Sequence, residues 1–183
     1  MEALQVILSE IESVLSSVKT EWIHDMALKL HRHQGRIFLV GEGRSGLMAK
    51  AFAMRLMHLG ASVFVVGETI TPPIENGDMV IAISGSGTTS GVVDKANKAH
   101  QMACFVMSIT TDPDSPLAKV SDMLLPIQAA TKYRTAGEAA SVQPLGSLFD
   151  QTVHLALDAV CLEFASIRHQ SNESAVKRHS NLE

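Results

Sequence analysis

The chain has 183 residues, 46% of them apolar but only 4% aromatic, and a formal net charge of −4. This length suffices to bury a core of Val, Leu, Ile, Met and Ala in one domain. The negative balance excludes binding driven by neutralising nucleic-acid phosphates, and no apolar run approaches the roughly 20 residues of a membrane span.

Residues 2–18 read as an amphipathic helix, with Leu4, Ile7, Leu8, Ile11, Val14, Leu15 and Val18 at helical spacing. Its start, MEALQVILSEIE, has neither a basic leader nor a cleavage site, so a cytoplasmic setting is expected. Five acids against three bases in the first 35 residues reverse the balance of a DNA-reading headpiece. A second helix, about 20–33, carries Ile23, Met26, Ala27 and Leu30. Its His24, His31 and His33 form no ligand spacing with a Cys or an acid, so no metal is expected. RIFLV (36–40) is a short apolar strand and GEGRSG (41–46) a loop. The Met-rich LMAKAFAMRLMHL (47–59) is a helix ended by Gly60, suited to core and subunit interface.

SVFVV (62–66) is the next strand, and GETITPPIENGD (67–78) a connection. A strand, a hydroxyl-rich loop and a helix follow over 79–102, then the strand CFVMSIT (104–110). A turn at Asp112-Pro113 and a helical piece around 116–120 lead to the strand MLLPI (123–127). Residues 128–143 are polar and aperiodic, a place for a substrate loop; its Lys132 and Arg134 are also ordinary surface charges. The last helix, about 148–168, lines up Phe149, Val153, Ala156, Val160 and Phe164, and the tail 169–183 is polar. Cys104 and Cys161 both fall in apolar runs, which predicts buried, reduced thiols. Strands alternating with helices predict an α/β fold, a single domain with a five-stranded, mainly parallel, doubly wound sheet and helices on both faces. N-terminal helices (1–34) would precede an α/β core (35–168) and the polar tail (169–183).

Ligands in such sheets bind beyond the carboxyl ends of the strands, where GEGRSG and ISGSGTTSG (83–91) both lie. GEGRSG is a literal G-x-G-x-x-G between strand and helix, and Glu68 follows Gly46 by 22 residues. This spacing matches a dinucleotide site with its ribose-binding acid. Against it, little chain remains for a substrate domain, and a second anion-type loop opens another helix. That second loop offers Ser84, Ser86, Thr88, Thr89 and Ser90 on accessible backbone at a helix N-terminus, suited to a phosphate monoester. Helix capping would use only one of these hydroxyls.

GEGRSGLMAKAFAMRLMHLG, VVGETITPP, AISGSGTTS, DSPLAK, QPLGSLFDQ and the closing RHSNLE resemble the 6-phospho-3-hexuloisomerase family of the sugar-isomerase (SIS) superfamily. The resemblance implies a flavodoxin-like SIS domain that interconverts D-arabino-3-hexulose 6-phosphate and D-fructose 6-phosphate through a cis-enediol. It also implies no cofactor and a homo-oligomer, tetramer or dimer, whose ligand is a phosphorylated ketohexose. A phosphosugar-binding or regulatory domain without catalysis, and an isomerase of another sugar phosphate, are the alternatives.

Moving a ketone between neighbouring carbons takes one positioned base and donors for the enediolate oxygen. The resemblance points to Ser45, Ser84, Ser86 and Thr89 for the phosphate, with Gly43 and Arg44 supporting. It places Asp150 where the family has a glutamate, as the base; helix spacing puts His154 one turn later on the same side. Ser147 and Asp150 also have the spacing of a helix cap and its N3 acid, a purely structural alternative. Aspartate is one methylene shorter than glutamate, which withdraws the carboxylate by roughly 1.5 Å. Thr88 is the second departure, at a position where the family loop reads S-G-S-G-E-T. His58, in MRLMHLG, is a candidate proton relay or a structural histidine. Glu68 would order the first loop or bind sugar hydroxyls, or remain a solvated acid. His179 would reach a neighbouring subunit's site, or lie in a disordered tail.

Overall fold

The computed structural model describes residues 2–182, so Glu183, the end of the RHSNLE motif, lies outside the described residues. In chain order the elements are α1 (Ala3–Leu15), α2 (Thr20–Arg32), β1 (Ile37–Gly41), α3 (Gly43–His58), β2 (Val63–Val65), β3 (Met79–Ile83), α4 (Ser90–Gln101), β4 (Phe105–Thr110), α5 (Pro116–Lys119), β5 (Met123–Pro126), α6 (Ser147–Ile167) and α7 (Asn172–Val176). The strands form one sheet in the order β2-β1-β3-β4-β5, and every neighbouring pair is parallel.

Strand residues alternate between two cores because successive side chains leave a pleated strand on opposite faces. Ile37, Leu39, Ile81 and Ile109 pack with α1, α2, α3 and α6, where Phe52, Leu56 and Phe164 are buried. Phe38, Val40, Val80, Ala82 and Val106 pack against α4 and α5. With both faces covered, the strands are near-continuous apolar runs, as buried parallel strands must be. Cys161 lies in the first core and Cys104 in the second, both buried. Among the described residues no helix is long and apolar enough to cross a membrane.

The strand order fixes where a ligand fits. From β1 the chain winds outward to β2, then returns to β3 on the other side of β1. The connections leaving β1 and β3 therefore diverge and leave a crevice beyond the two carboxyl ends.

GEGRSG is not a loop as its composition predicts. Glu42 alone separates β1 from α3, so Arg44, Ser45 and Gly46 already belong to the first turn of the helix. Gly43 takes φ +58°, a left-handed conformation that favours glycine. A Cβ on Gly46 would stand 2.8 Å from the Gly41 carbonyl oxygen, and one on Gly41 would stand 2.9 Å from that of Ser45. The glycine spacing thus makes a tight strand-to-helix turn, whatever ligand lies beyond it. Gly46→Ala meets backbone that has no side-chain freedom to yield. It is expected to cost about 1–3 kcal/mol, and calorimetry should show the unfolding midpoint lowered by on the order of 5 °C.

The polar tail also differs from a plain coil. Ser171 caps α7 by accepting from the Ser174 amide, and Arg178 donates to Gln170, to Ser174 O and to His58 O. These bonds tie the tail to the far end of α3.

Candidate active site

A cavity of about 230 Å³ opens at the crevice, lined by Glu42, Arg44, Ser45, Gly85, Ser86, Thr89, Thr131, Lys132, Tyr133, Leu145, Gly146, Phe149 and Asp150. Three parts of the chain build it: the β1–α3 turn, the loop entering α4, and the irregular segment that leads into α6.

Asp150 lies in the first turn of α6 and is only 5% exposed. The anticipated cap pairing of Ser147 with Asp150 does not form. Gly146 is the N-cap, no side chain caps the helix, and the Asp150 carboxylate turns instead toward α3. Ser45 donates to its Oδ1 at 3.1 Å, and Arg44 Nε lies 3.2 Å from its Oδ2. Arg44 also donates to Ser147 Oγ at 3.3 Å. Burial pushes the Asp150 carboxyl above its ordinary value, opposed by the Ser45 hydrogen bond and the Arg44 charge. The outcome is a carboxylate kept in place by two donors and made more basic by its surroundings. His154 does not join it: its ring faces Asp158 at 3.6 Å on an exposed part of α6.

The hydroxyl loop is organised differently from a helix cap. Thr89 is the N-cap of α4 by position, yet its side chain accepts no helix amide. Its hydroxyl pairs with Ser84 Oγ at 2.9 Å, while Thr88 donates to Ser86 Oγ at 2.9 Å. Ser84 is 3% exposed and sits beneath the cavity, which Ser86 and Thr89 line directly. The N-terminal end of α4 supplies a positive pole beside these hydroxyls. Thr88 is exposed and outside the lining, as is Gly43.

Two further candidates lie elsewhere. Glu68 pairs with Lys50 of α3 at 2.5 Å on the surface and does not line the cavity. His58 is at the opposite end of α3 from Ser45, roughly 20 Å along the helix axis. There the His179 ring stacks on it, centroids 5.1 Å apart. The structure thus joins the two histidines to each other but not to this chain's own cavity.

Glu42, Thr131 and Tyr133 line the cavity without having been singled out by sequence. For Glu42 the signal was present: it is the first residue beyond the carboxyl end of β1. Its Oε1 would collide at 2.1 Å with a Cβ on Gly91, so this carboxylate lies over the first turn of α4, with Lys95 Nζ at 3.8 Å. Among the described residues no group of three His, Cys, Asp or Glu is disposed to hold a metal ion.

Chemically, the cavity combines an anion cradle with a buried basic carboxylate and a guanidinium. The chain is similar to known proteins. A model of the SIS domain family matches residues 30–155. The 3-hexulose-6-phosphate isomerase of Bacillus subtilis (strain 168) is 39% identical over 183 residues, covering 100% of this chain and 98% of its own length. That of Mycobacterium gastri is 40% identical, covering 99% of this chain and 96% of its own. A hypothetical protein of Methanococcus jannaschii, whose crystal structure was described as inferring a 3-hexulose-6-phosphate isomerase function, superposes with a TM-score of 0.85 at 30% identity. That match covers 100% of both chains.

Proposed function

The chain belongs to the SIS-domain family and, within it, to the 3-hexulose-6-phosphate isomerases, and on that premise we propose that it interconverts D-arabino-3-hexulose 6-phosphate and D-fructose 6-phosphate without a cofactor. The observation that carries the reading is one cavity holding both a hydroxyl cradle at a helix N-terminus and the buried Asp150 carboxylate.

The phosphate ester sits against Ser86, Thr89 and the first turn of α4, which anchors the sugar so that its reacting carbons face Asp150. Asp150 takes the proton from the carbon next to the ketone, and that proton exchanges with solvent at the carboxyl. The same carboxyl delivers one to the neighbouring carbon across a cis-enediol, while the hydroxyl proton passes between the two oxygens. Arg44 faces the negative charge that builds on the enediolate oxygen, and Ser45 fixes the base. His58 and His179 serve a neighbouring subunit's cavity in a homo-oligomer. The exposed Leu47, Met54 and Met57 of α3 and Leu155 and Leu162 of α6 are apolar faces that such an assembly would cover.

Incubation with D-fructose 6-phosphate tests the reaction directly. Carbon NMR is expected to show the 3-hexulose 6-phosphate appearing to an equilibrium reachable from either side. Conversion only of aldose phosphates, or saturable binding with no conversion, would replace this reading by the other isomerase or the regulatory one.

A pH dependence follows. The base must be ionised, and burial raises its pKa, so the acid limb of kcat/KM lies above the ordinary aspartate value of about 3.9. Arg44 holds the carboxyl down by its charge. Arg44→Gln is therefore expected to move that limb to still higher pH in a pH–rate profile. An unmoved limb would separate Arg44 from the base.

A further inference from the structure

One wall of the cavity has no regular secondary structure. Residues 127–146 run from β5 to α6 without helix or strand, yet Thr131, Lys132, Tyr133, Leu145 and Gly146 of this segment line the cavity. A loop facing a ligand needs its backbone polar groups satisfied, and here charged side chains satisfy them. Within the segment, Glu138 accepts from the Thr131 amide and hydroxyl at 2.8 and 2.6 Å, and Arg134 donates to Thr131 O and Gln143 O.

The remaining anchor comes from a different part of the fold. Glu10, on α1, accepts from Ser141 Oγ at 2.7 Å, the Val142 amide at 2.8 Å and Gln143 Nε2 at 2.9 Å. Partial burial raises the Glu10 carboxyl, but these three donors and Arg134 outweigh it and hold the group below its ordinary value. It is therefore ionised at neutral pH and accepts on both oxygens. The loop that α1 holds carries Lys132, which lies outside any ion pair among the described residues and rests 4.8 Å from the Tyr133 ring centroid. The other cation of the lining, Arg44, is engaged with Asp150.

We propose that Glu10 is a positioning residue for substrate binding: by holding Ser141, Val142 and Gln143 it sets the wall that presents Lys132 and Tyr133 to the phosphosugar. It touches no substrate. Removing it leaves Asp150 and Ser45 in place and loosens the wall that carries Lys132 and Tyr133. The ligand chemistry rests on the isomerase reading above; the mechanical claim does not.

The test compares the full chain with Glu10→Gln, which places an amide donor against donors, and with Gln143→Leu, which removes one partner from the loop side. Trypsin cleavage after Lys132 and Arg134 reports the loop without any substrate. Calorimetric titration with fructose 6-phosphate, and KM against kcat, report its consequence. Each variant is expected to be cut at least 5-fold faster between 132 and 135, and to bind fructose 6-phosphate about 10-fold more weakly with kcat within 2-fold. The double variant should do no worse than the worse single. Cleavage and affinity both unchanged, or cleavage accelerated with affinity unchanged, would overturn the proposal. So would a loss in kcat equal to that in affinity. If the wild-type chain neither binds nor converts fructose 6-phosphate, the isomerase reading fails. The trypsin comparison then decides the loop claim alone, equal rates overturning it.

Discussion

Asp150→Asn is expected to lower kcat for the isomerisation by about 10³-fold while the protein stays folded. The substitution keeps the shape of the side chain and an oxygen for the Ser45 hydroxyl, but it cannot take a proton from carbon. Stability should not fall with activity. A carboxyl whose folded-state pKa is raised contributes stability that is present below its unfolded value and is lost as pH rises through the folded one. At neutral pH the ionised Asp150 is thus a net cost to folding, which a neutral amide does not carry. Thermal unfolding at pH 7 is expected to show a midpoint equal to or above that of the unaltered chain. A large drop in midpoint together with lost activity would make Asp150 a structural residue of α6, as the cap reading of Ser147 and Asp150 would have it.

Ser86→Ala is expected to raise KM by about 30-fold, the loss of one hydrogen bond to a charged phosphate ester, worth about 2 kcal/mol. Ser86 lines the cavity, and its present partner Thr88 is exposed, so the substitution leaves no buried group unpaired. Thr88→Ala should change KM by less than about 3-fold, because Thr88 reaches the cavity only through Ser86. Ser84 marks a different outcome. It is buried and bonded to Thr89, so Ser84→Ala should act on stability more than on affinity. Steady-state kinetics with fructose 6-phosphate separate the three. Equal effects at 84, 86 and 88 would mean that the hydroxyls shape the loop and do not hold phosphate.

Much of this was legible in the residues because it rests on local rules. Apolar strands ending at two small-residue turns predicted a parallel sheet, and the observed order puts those turns at its crevice. Ser45, Ser86, Thr89 and Asp150 meet there, with Ser45 and Arg44 closing on the shorter carboxylate at 3.1 and 3.2 Å. Where GEGRSG ends as a loop was misjudged, since glycine-rich composition conceals a helix that starts as soon as two backbones can touch. Capping of α4 by one of the loop hydroxyls does not form: at the N-cap position Thr89 pairs with Ser84, five residues earlier, instead of with a helix amide. Long-range pairs had no local signal. Glu10 lies more than 130 positions from Ser141, and no periodicity in either segment announces their contact. His58 and His179 appeared in separate motifs, and only the fold shows that one stacks on the other.

The proposed function rests on proton transfer by Asp150 between two neighbouring carbons of a phosphorylated ketohexose. Fructose 6-phosphate equilibrated with the protein in deuterium oxide, and followed by proton NMR, measures this step directly. Loss of the C3 proton signal, deuterium at C2 of the 3-hexulose formed, and neither change with Asp150→Asn are expected of this transfer. Retention of the C3 proton by the unaltered chain, or exchange at the same rate in the variant, would contradict it.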